Sequence, residues 1–220
     1  MIQVVQLVLI GGGGHAAEVF SYLEDLKASG DAVDLLGVID EQKSPGSWEG
    51  THVLGGFDTL ATLTAQGAAH YLTCVGSNTL RRQLVSQAEV VGAIPWTLRH
   101  PTAQLGRDVQ IGPGTLLAPG VIVTTRVRIG RHCILNARVG VHHDCVIGDF
   151  ANLNPGATVA GTVKLGDGVF LGAGATVING RTIGVNTVIG AGATVIHDLL
   201  NDVTAVGVPA KVIKQHQRIV

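Results

Sequence analysis

The 220-residue sequence predicts two regions of different architecture, an α/β region over residues 1–97 and an all-β parallel β-helix over residues 98–220. Apolar runs alternate with helical patterns in the first region, which predicts a parallel sheet flanked by helices. Aliphatic residues recur at every sixth position in the second region, a period that neither a helix nor a hairpin produces. The composition agrees, because 31 glycines and only 4% aromatic residues suit a narrow interior filled with aliphatic side chains.

The first region reads as three strand–helix pairs in the order βαβαβα. Its strands end in four consecutive glycines, in Asp40 and Glu41, and in Gly76, and a polar loop containing Pro45 and Gly46 follows the second strand. This order predicts a small Rossmann-like sheet whose ligand crevice lies at the carboxyl ends of the strands. The predicted strands are 4–10, 35–39 and 71–75, and the predicted helices are 16–28, 57–66 and 79–89.

The second region is built from hexapeptides. Sixteen aliphatic residues occupy every sixth position from Leu105 to Val195, and the residue four places further on is mostly small or slender, with Arg181 as the exception. Three hexapeptides close one triangular coil, so the repeat supplies about five coils of 18 residues. The flat faces of such a prism predict a homotrimer with clefts between subunits. We expect tight corners at the glycines that directly follow an aliphatic residue, which are Gly106, Gly112, Gly130, Gly148, Gly166, Gly172, Gly184 and Gly190.

Charge and hydropathy exclude several classes of function. The formal net charge is −1 and only 14% of residues are charged, so neither nucleic-acid binding through phosphate contacts nor binding to a membrane surface is expected. Residues 1–10 read as a buried strand rather than a leader peptide, and no apolar run approaches the roughly 20 residues of a membrane span. Cys74, Cys133 and Cys145 lack metal-ligand spacing, so we expect free thiols in the cytoplasm.

The strongest interruption of the repeat is the pair His143-Asp144. Titratable residues between the aliphatic Val141 and the small Cys145 should lie at a corner and project outward. Histidine there is suited to act as a general base, and a neighbouring carboxylate can fix its tautomer. Gly161, 18 residues further on, should leave space beside the imidazole for a substrate. A solvated corner without function is the alternative interpretation.

A glycine run from Gly11 to Gly14 separates the first strand from the first helix. Glycines there allow backbone amides to approach a pyrophosphate, and the helix N-terminus favours its charge. His15 does not fit the dinucleotide fingerprint, so a mononucleotide or a nucleotide-linked sugar fits better than NAD, with a simple turn as the alternative. Near the C-terminus, Pro209 ends the repeat and Lys211 begins a tail, which predicts either a cap over the coil or contacts to an anionic cofactor.

The glycine turn with His15, the hexapeptide array, His143-Asp144 and the tail Gly207-Val208-Pro209-Ala210-Lys211 together resemble one family over nearly the whole chain. It comprises the sugar O- and N-acetyltransferases of left-handed β-helix fold, including sialic acid O-acetyltransferases and N-acetyltransferases of nucleotide-linked 4-amino-4,6-dideoxysugars. The resemblance implies that acetyl-CoA donates an acetyl group to a nucleotide-linked sugar, without a metal or an acyl-enzyme, and that His143 is the general base beside Asp144. It also implies sugar or nucleotide contacts at Gly13, Gly14, His15, Asp40, Glu41, Thr79 and Asn136, and cofactor contacts at Asn152, Ala173, Ala191 and Lys211.

Three alternatives stay open. The sequence separates O-acetylation of a sugar such as sialic acid poorly from N-acetylation. A metal-dependent hydratase of the carbonic anhydrase type would need three histidines converging at a subunit interface, and His132, His142 and His143 lack the 18-residue spacing of the coil. A nucleotide-binding scaffold would bind the sugar without cleaving a thioester. By analogy, Asp40-Glu41 favours uridine, so the predicted acceptor is a UDP-4-amino-4,6-dideoxysugar.

Overall fold

The computed structural model describes residues 4–67 and 70–216, and the chain divides into two compact units between Pro101 and Thr102. The sequence placed the change of architecture after residue 97. Two predictions fall partly outside the described ranges. They concern residues 1–3, which belong to the segment that we interpreted as a strand rather than a leader, and residues 217–220 of the predicted tail. Within those ranges, no helix has the length and apolar character needed to span a membrane.

The first unit is a mostly parallel sheet with three helices. Its elements are β1 (Val5–Ile10), α1 (Gly14–Ala28), β2 (Val33–Ile39), β3 (Gly46–Trp48), β4 (Thr51–Gly55), α2 (Phe57–Ala65), β5 (His70–Thr73), α3 (Asn78–Val90) and β6 (Ile94–Pro95), and β7 (Leu98–Arg99) follows. The strand order is β3-β4-β2-β1-β5-β6, and only the β3–β4 pair is antiparallel. The chain leaves β1 for one side of the sheet and later returns on the other side as β5. The topological switch point, where ligands of such sheets bind, therefore lies at the carboxyl ends of β1 and β5.

Three strands of this sheet were not predicted. The polar loop around Pro45 contains the β3–β4 hairpin, whose two-residue turn holds Glu49 at φ 42° and Gly50 at φ 79°. Two consecutive positive φ angles are typical of the type I′ turn, which matches the twist of paired strands. Asn-Gly and Asp-Gly are the usual signals for this turn, and the Glu-Gly pair here was read as part of a loop. The third strand, β6, has only two residues and shows no periodicity.

The second unit is a three-sided parallel β-helix, so the predicted fold class is confirmed. Strands stack 18 residues apart, as in the pairing of Val123 with Val141 and of Val141 with Val159. One face contains β8 (Gln104–Leu105), β11 (Ile122–Val123), β14 (Gly140–Val141), β17 (Thr158–Val159), β20 (Thr176–Val177) and β23 (Thr194–Val195). A second contains β9 (Gln110–Ile111), β12 (Arg128–Ile129), β15 (Val146–Ile147), β18 (Lys164–Leu165) and β21 (Thr182–Ile183). The third contains β10 (Leu116–Leu117), β13 (Ile134–Leu135), β16 (Asn152–Leu153), β19 (Phe170–Leu171), β22 (Val188–Ile189) and β24 (Val203–Val206), with β25 (Lys211–Gln215) antiparallel to β24.

The interior of the β-helix is the predicted aliphatic column. Every member from Leu117 to Val195 is at most 4% exposed, whereas Leu105 and Ile111 in the first coil are half-buried. Arg181, the exception in the small-residue register, keeps its side chain 34% exposed, 3.7 Å from Asp198. Its backbone carbonyl still accepts the Lys164 amide, so the coil continues past it.

The corners of the β-helix are not where we expected them. None of the eight glycines that follow an aliphatic residue has a positive φ. A positive φ instead occurs at every sixth residue from Asp108 to Gly192, and eight of these fifteen corner residues are not glycine. The glycines after the aliphatic residues serve a different need, because a Cβ at Gly112 would lie 2.6 Å from the Arg131 amide nitrogen of the next coil. Close approach between coils therefore explains those glycines.

Candidate active site

His143 and Asp144 lie at an outward corner between β14 and β15, the position that the hexapeptide pattern predicts. His143 Nδ1 lies 2.8 Å from Asp144 Oδ2, and the two side chains are 55% and 36% exposed. Because an ionised carboxylate can only accept, His143 Nδ1 donates its N–H to Asp144, and the other ring nitrogen, Nε2, is the one that can take a proton from a substrate. The pair has the geometry of a general base with its orienting carboxylate.

Arg126 completes this cluster, and sequence reasoning missed it. Its Nε donates to Asp144 Oδ1 at 2.7 Å and its Nη2 donates to Oδ2 at 2.9 Å. The hydrogen bond from Arg126 and then that from His143 hold the pKa of Asp144 well below its usual range, so the carboxylate is ionised at neutral pH. A signal was present in the sequence, because Arg126 precedes Asp144 by one 18-residue coil.

Gly161 supports the imidazole, which corrects our expectation that it leaves space for a substrate. A Cβ at Gly161 would lie 2.5 Å from both Cε1 and Nε2 of His143. The ring therefore occupies that space itself. Gly161 is required because the imidazole packs directly on the backbone of the next coil.

Cys145 is placed inside the coil rather than at the site. It is fully buried, and its Sγ lies 3.0 Å from the Ala160 carbonyl oxygen. Burial raises the pKa of its thiol, which disfavours the thiolate that a nucleophile requires. The buried thiol of Cys145 is therefore poorly suited to carry an acetyl group.

The remaining predicted residues of the second unit lie in three places. Asn136 Nδ2 donates to the side-chain oxygen of Asn152 at 3.2 Å, which joins a predicted sugar contact to a predicted cofactor contact. Asn152 is 2% exposed. Ala173 and Ala191 are exposed and lie on adjacent coils, because the Gly192 amide donates to the Ala173 carbonyl at 2.8 Å. Lys211 is the exposed first residue of β25.

In the first unit, the glycine run lies at the switch point of the sheet. Gly11 needs its positive φ of 97°, and a Cβ at Gly12 would crowd Lys43 and Asp40. Neither reason applies to Gly13 or Gly14, whose Cβ atoms would meet nothing within 4 Å. Gly13 is the N-cap of α1, which has no side-chain cap and no acidic residue in its first turn. Open space beside Gly13 and Gly14, at a helix N-terminus without a side-chain cap, is suited to an anion such as a diphosphate.

Asp40 and Glu41 bind backbone amides in this structure. Asp40 accepts hydrogen bonds from the Gly12 amide at Oδ2 and from the Gln42 amide at Oδ1, both at 2.8 Å. Glu41 Oε1 accepts the Phe57 amide at the start of α2, also at 2.8 Å. The two carboxylates therefore hold the glycine turn and the neighbouring helix in place. Their predicted contacts to a nucleoside stay a prediction.

His15 and Thr79 border the same end of the sheet. His15 Nδ1 lies 3.3 Å from Glu18, and burial, opposed by Glu18, lowers the pKa of His15. Among the described residues, its Nε2 is a buried nitrogen without a hydrogen-bond partner. Thr79 is exposed in the first turn of α3. Arg81 on the same helix is fully buried and donates to the Val75 carbonyl at 3.0 Å, a contact that no sequence pattern indicated.

The described part of the chain contains no group of three or more His, Cys, Asp or Glu side chains placed to hold a metal ion. His132, one of the three histidines that a hydratase would need, is 1% exposed and stacks on Phe150 with ring centroids 5.2 Å apart. His142 and His143 are exposed. The three rings thus lie in different surroundings within one chain.

Comparisons with known proteins agree with both units. The family model of the PglD N-terminal domain matches residues 6–88, and that of the bacterial transferase hexapeptide (six repeats) matches residues 126–161. A curated GDP-perosamine N-acetyltransferase of Escherichia coli O157:H7 is 33% identical over 96 residues. The matched residues make up 42% of this chain and 43% of that relative, which is less than half of its length.

Solved structures match over nearly the whole chain. A variant of the GDP-perosamine N-acetyltransferase of Caulobacter crescentus, in complex with CoA and GDP-perosamine, is 35% identical, with a TM-score of 0.88 and 98% of this chain and 99% of that chain covered. The acetyltransferase domain of PglB from Neisseria gonorrhoeae, in complex with acetyl coenzyme A, is 28% identical, with a TM-score of 0.85 and 96% and 100% of the two chains covered. The chain belongs to the family of sugar acetyltransferases of left-handed β-helix fold.

Proposed function

We propose that the protein is an acetyl-CoA-dependent N-acetyltransferase that acts on a nucleotide-linked amino sugar. The observation that supports this most strongly is the near full-length likeness to a solved structure holding CoA and a nucleotide-linked amino sugar. The His143–Asp144 pair supplies a base, and the open glycine turn supplies a place for a diphosphate. These features are what direct transfer of an acetyl group between two bound substrates requires.

In the proposed reaction, the sugar amine attacks the thioester carbonyl of acetyl-CoA. A C–N bond forms, the C–S bond breaks, and His143 Nε2 takes the amine proton before passing it to the departing thiolate. General acid–base help of this kind contributes typically about 10²–10⁴ in rate. No covalent enzyme intermediate is needed. In the relative from Caulobacter crescentus, complexes with both ligands were determined with one histidine replaced by alanine or by asparagine.

We further propose that the enzyme works in the cytoplasm as a homotrimer, in a pathway that builds a glycan. Cys74, Cys133 and Cys145 are buried and form no disulfide within the described residues, as suits a reducing compartment. The acceptor base is the finer part of the proposal. Asp40-Glu41 favours uridine by analogy, whereas the relative from Caulobacter crescentus binds a guanosine-linked sugar. UDP-, GDP- and dTDP-linked amino sugars therefore all belong in the assay.

The test is incubation with acetyl-CoA and that panel, read as free thiol release and product mass. Replacing His143 with alanine should lower kcat/KM at least 100-fold, whereas His142→Ala, at the exposed neighbouring position, should change it less than threefold. A His143→Ala enzyme with near-normal turnover would rule out the assigned base. Absence of thiol release with every acceptor would overturn the function itself. Acetylation of a matched sugar with a hydroxyl in place of the amine would favour the O-acetyltransferase alternative.

A further inference from the structure

We propose that Arg126 is a positioning residue for acetyl transfer, which acts on His143 through Asp144; this inference rests on the function proposed above. The two Arg126 nitrogens donate to different oxygens of one carboxylate, at 2.7 and 2.9 Å. A planar guanidinium paired in this two-pronged way fixes the plane of the carboxylate as well as its position. Fixing that plane keeps Oδ2 directed at His143 Nδ1.

The coil architecture places Arg126 where it can do this. Asp108, Arg126 and Asp144 are successive members of one corner column, spaced 18 residues apart, with φ angles of 57°, 54° and 61°. Backbone hydrogen bonds tie these corners together, since the Asp144 amide donates to the Thr125 carbonyl at 3.1 Å. Arg126 therefore reaches Asp144 from the adjacent coil, while His143 approaches the same carboxylate from its own coil.

The charge of Arg126 also decides where the proton stays. Asp144 Oδ2 accepts from both Arg126 Nη2 and His143 Nδ1, so the carboxylate is shared between a cation and the imidazole. A carboxylate held ionised by a cation is a poor proton acceptor. A proton taken from the substrate thus stays on His143, from which it can reach the leaving thiolate. Asp108, the carboxylate on the other side of Arg126, acts on the guanidinium through its charge.

The chain contains a matched control for this pair. Arg131 and Asp149 have the same 18-residue spacing, with Arg131 Nε 3.3 Å from Asp149 Oδ2. Their exposure is similar, at 46% and 39% against 58% and 36% for Arg126 and Asp144. Phe150 rather than a histidine adjoins that aspartate. Arg131 also lies over the Phe150 ring, 5.6 Å from its centroid. Its loss should therefore affect the stability of the β-helix at least as much as the loss of Arg126, whose exposed ion pair contributes little.

The first experiment compares Arg126→Gln, Arg126→Lys and Arg131→Gln by steady-state kinetics, well below the Tm of each variant. Arg126→Gln should lower kcat about tenfold, with the KM of both substrates changed less than twofold, because binding groups are untouched. Arg126→Lys keeps the positive charge but not the two-pronged contact with Asp144, so its kcat should lie between that of Arg126→Gln and that of the unsubstituted enzyme. Arg131→Gln should retain normal kcat. Normal kcat in Arg126→Gln, or an equal loss in Arg131→Gln, would overturn the inference.

A double-mutant cycle then tests whether Arg126 acts through Asp144. In an Asp144→Asn background, Arg126→Gln should change kcat less than twofold, because the carboxylate that it positions is gone. A merely structural role would lower kcat by the same tenfold in both backgrounds. That additive result would overturn the inference.

A titration separates failure of this inference from failure of the proposed function. Carbon-13 NMR of the Asp144 carboxyl group needs no turnover. Arg126→Gln should raise the pKa of that carboxyl group and Arg131→Gln should not, because Arg126 is the one of these two arginines that hydrogen-bonds to it. An unchanged titration in Arg126→Gln would overturn the inference even in an active enzyme. The raised pKa in an enzyme that transfers no acetyl group would leave the contact established and the proposed function refuted.

Discussion

At the residue scale, the orientation of His143 depends on two neighbours from different coils. Asp144, itself held by Arg126, fixes Nδ1, and the bare backbone of Gly161 supports the other edge of the ring. The imidazole thus has one contact that sets its tautomer and one that sets its position. Each can be removed separately, so their contributions to the reaction can be distinguished.

Gly161→Ala tests the second contact. The new Cβ would lie 2.5 Å from the imidazole, so the ring must rotate away and lose its alignment with Asp144. We expect kcat to fall about tenfold or more, because misplacement of a reacting group by about an ångström is costly. The free energy of unfolding should change by about 1 kcal/mol at most, since Gly161 has no positive φ and the exposed His143 side chain can move away from the new methyl group.

Thr125→Ala is the control for this substitution. Thr125 lies one coil on the other side of His143, and its hydroxyl donates to the Arg107 carbonyl at 2.9 Å rather than to the imidazole. The kcat of Thr125→Ala should stay within twofold of the kcat of the unsubstituted enzyme. Steady-state kinetics and thermal unfolding of both variants give the comparison. Normal kcat in Gly161→Ala would show that the ring does not depend on this support.

At the element scale, the turn between β1 and α1 contains two kinds of glycine. The fold requires the first two, Gly11 and Gly12, and does not require the last two, Gly13 and Gly14. Gly11 is explained by its backbone conformation and Gly12 by crowding. Gly13 and Gly14 face open space, and α1 begins with glycine although alanine would favour the helix by up to about 1 kcal/mol. Glycines that weaken a helix without a steric reason agree with the proposed diphosphate site at this turn.

We therefore expect Gly14→Ala to have opposite effects on the stability of the protein and on its binding of the nucleotide-linked sugar. The Tm should be unchanged or slightly higher, whereas the KM of the nucleotide-linked sugar should rise about tenfold, because the methyl group fills the space in front of the helix N-terminus. The KM of acetyl-CoA serves as the internal reference and should change less than twofold. Ser21→Ala, an exposed position on α1, should alter neither constant. An unchanged KM for every nucleotide-linked sugar in Gly14→Ala would contradict a diphosphate site at this turn.

The elements that the sequence predicted well are those whose signal is local and repeated. The aliphatic column from Leu117 to Val195 follows from a period that each coil restates. The corner glycines were misread because a residue name does not say whether glycine is needed for a positive φ or for a neighbouring backbone. Arg126 was missed for a related reason, since its contact with Asp144 appears only when the 18-residue spacing is applied to polar residues too.

At the scale of the whole molecule, two of the three β-helix faces differ in the charge of their outward residues. We name the face of β8, β11, β14, β17, β20 and β23 the uncharged face, because its outward residues carry no charge; they are Gln104, Ile122, Gly140, Thr158, Thr176 and Thr194. The face of β9 to β21 carries Arg128 and Lys164 outward. Subunit interfaces are depleted of charge at their centres. Of these two faces, the uncharged face is thus the better surface for the proposed homotrimer.

Thr158→Glu places a carboxylate at the middle of the uncharged face, whereas Lys164→Glu makes a charge change on the other face. A charge buried without a partner is strongly unfavourable, so Thr158→Glu should sediment with the mass of one chain, and the unsubstituted protein and Lys164→Glu with that of three. Acetyl transfer should fall with the trimer, because the proposed sites lie in clefts between subunits. Analytical ultracentrifugation with a parallel thiol-release assay measures both effects. A mass of three chains for Thr158→Glu would place the interface elsewhere. A mass of one chain for the unsubstituted protein would refute the trimer, and clefts between subunits could then not supply the site.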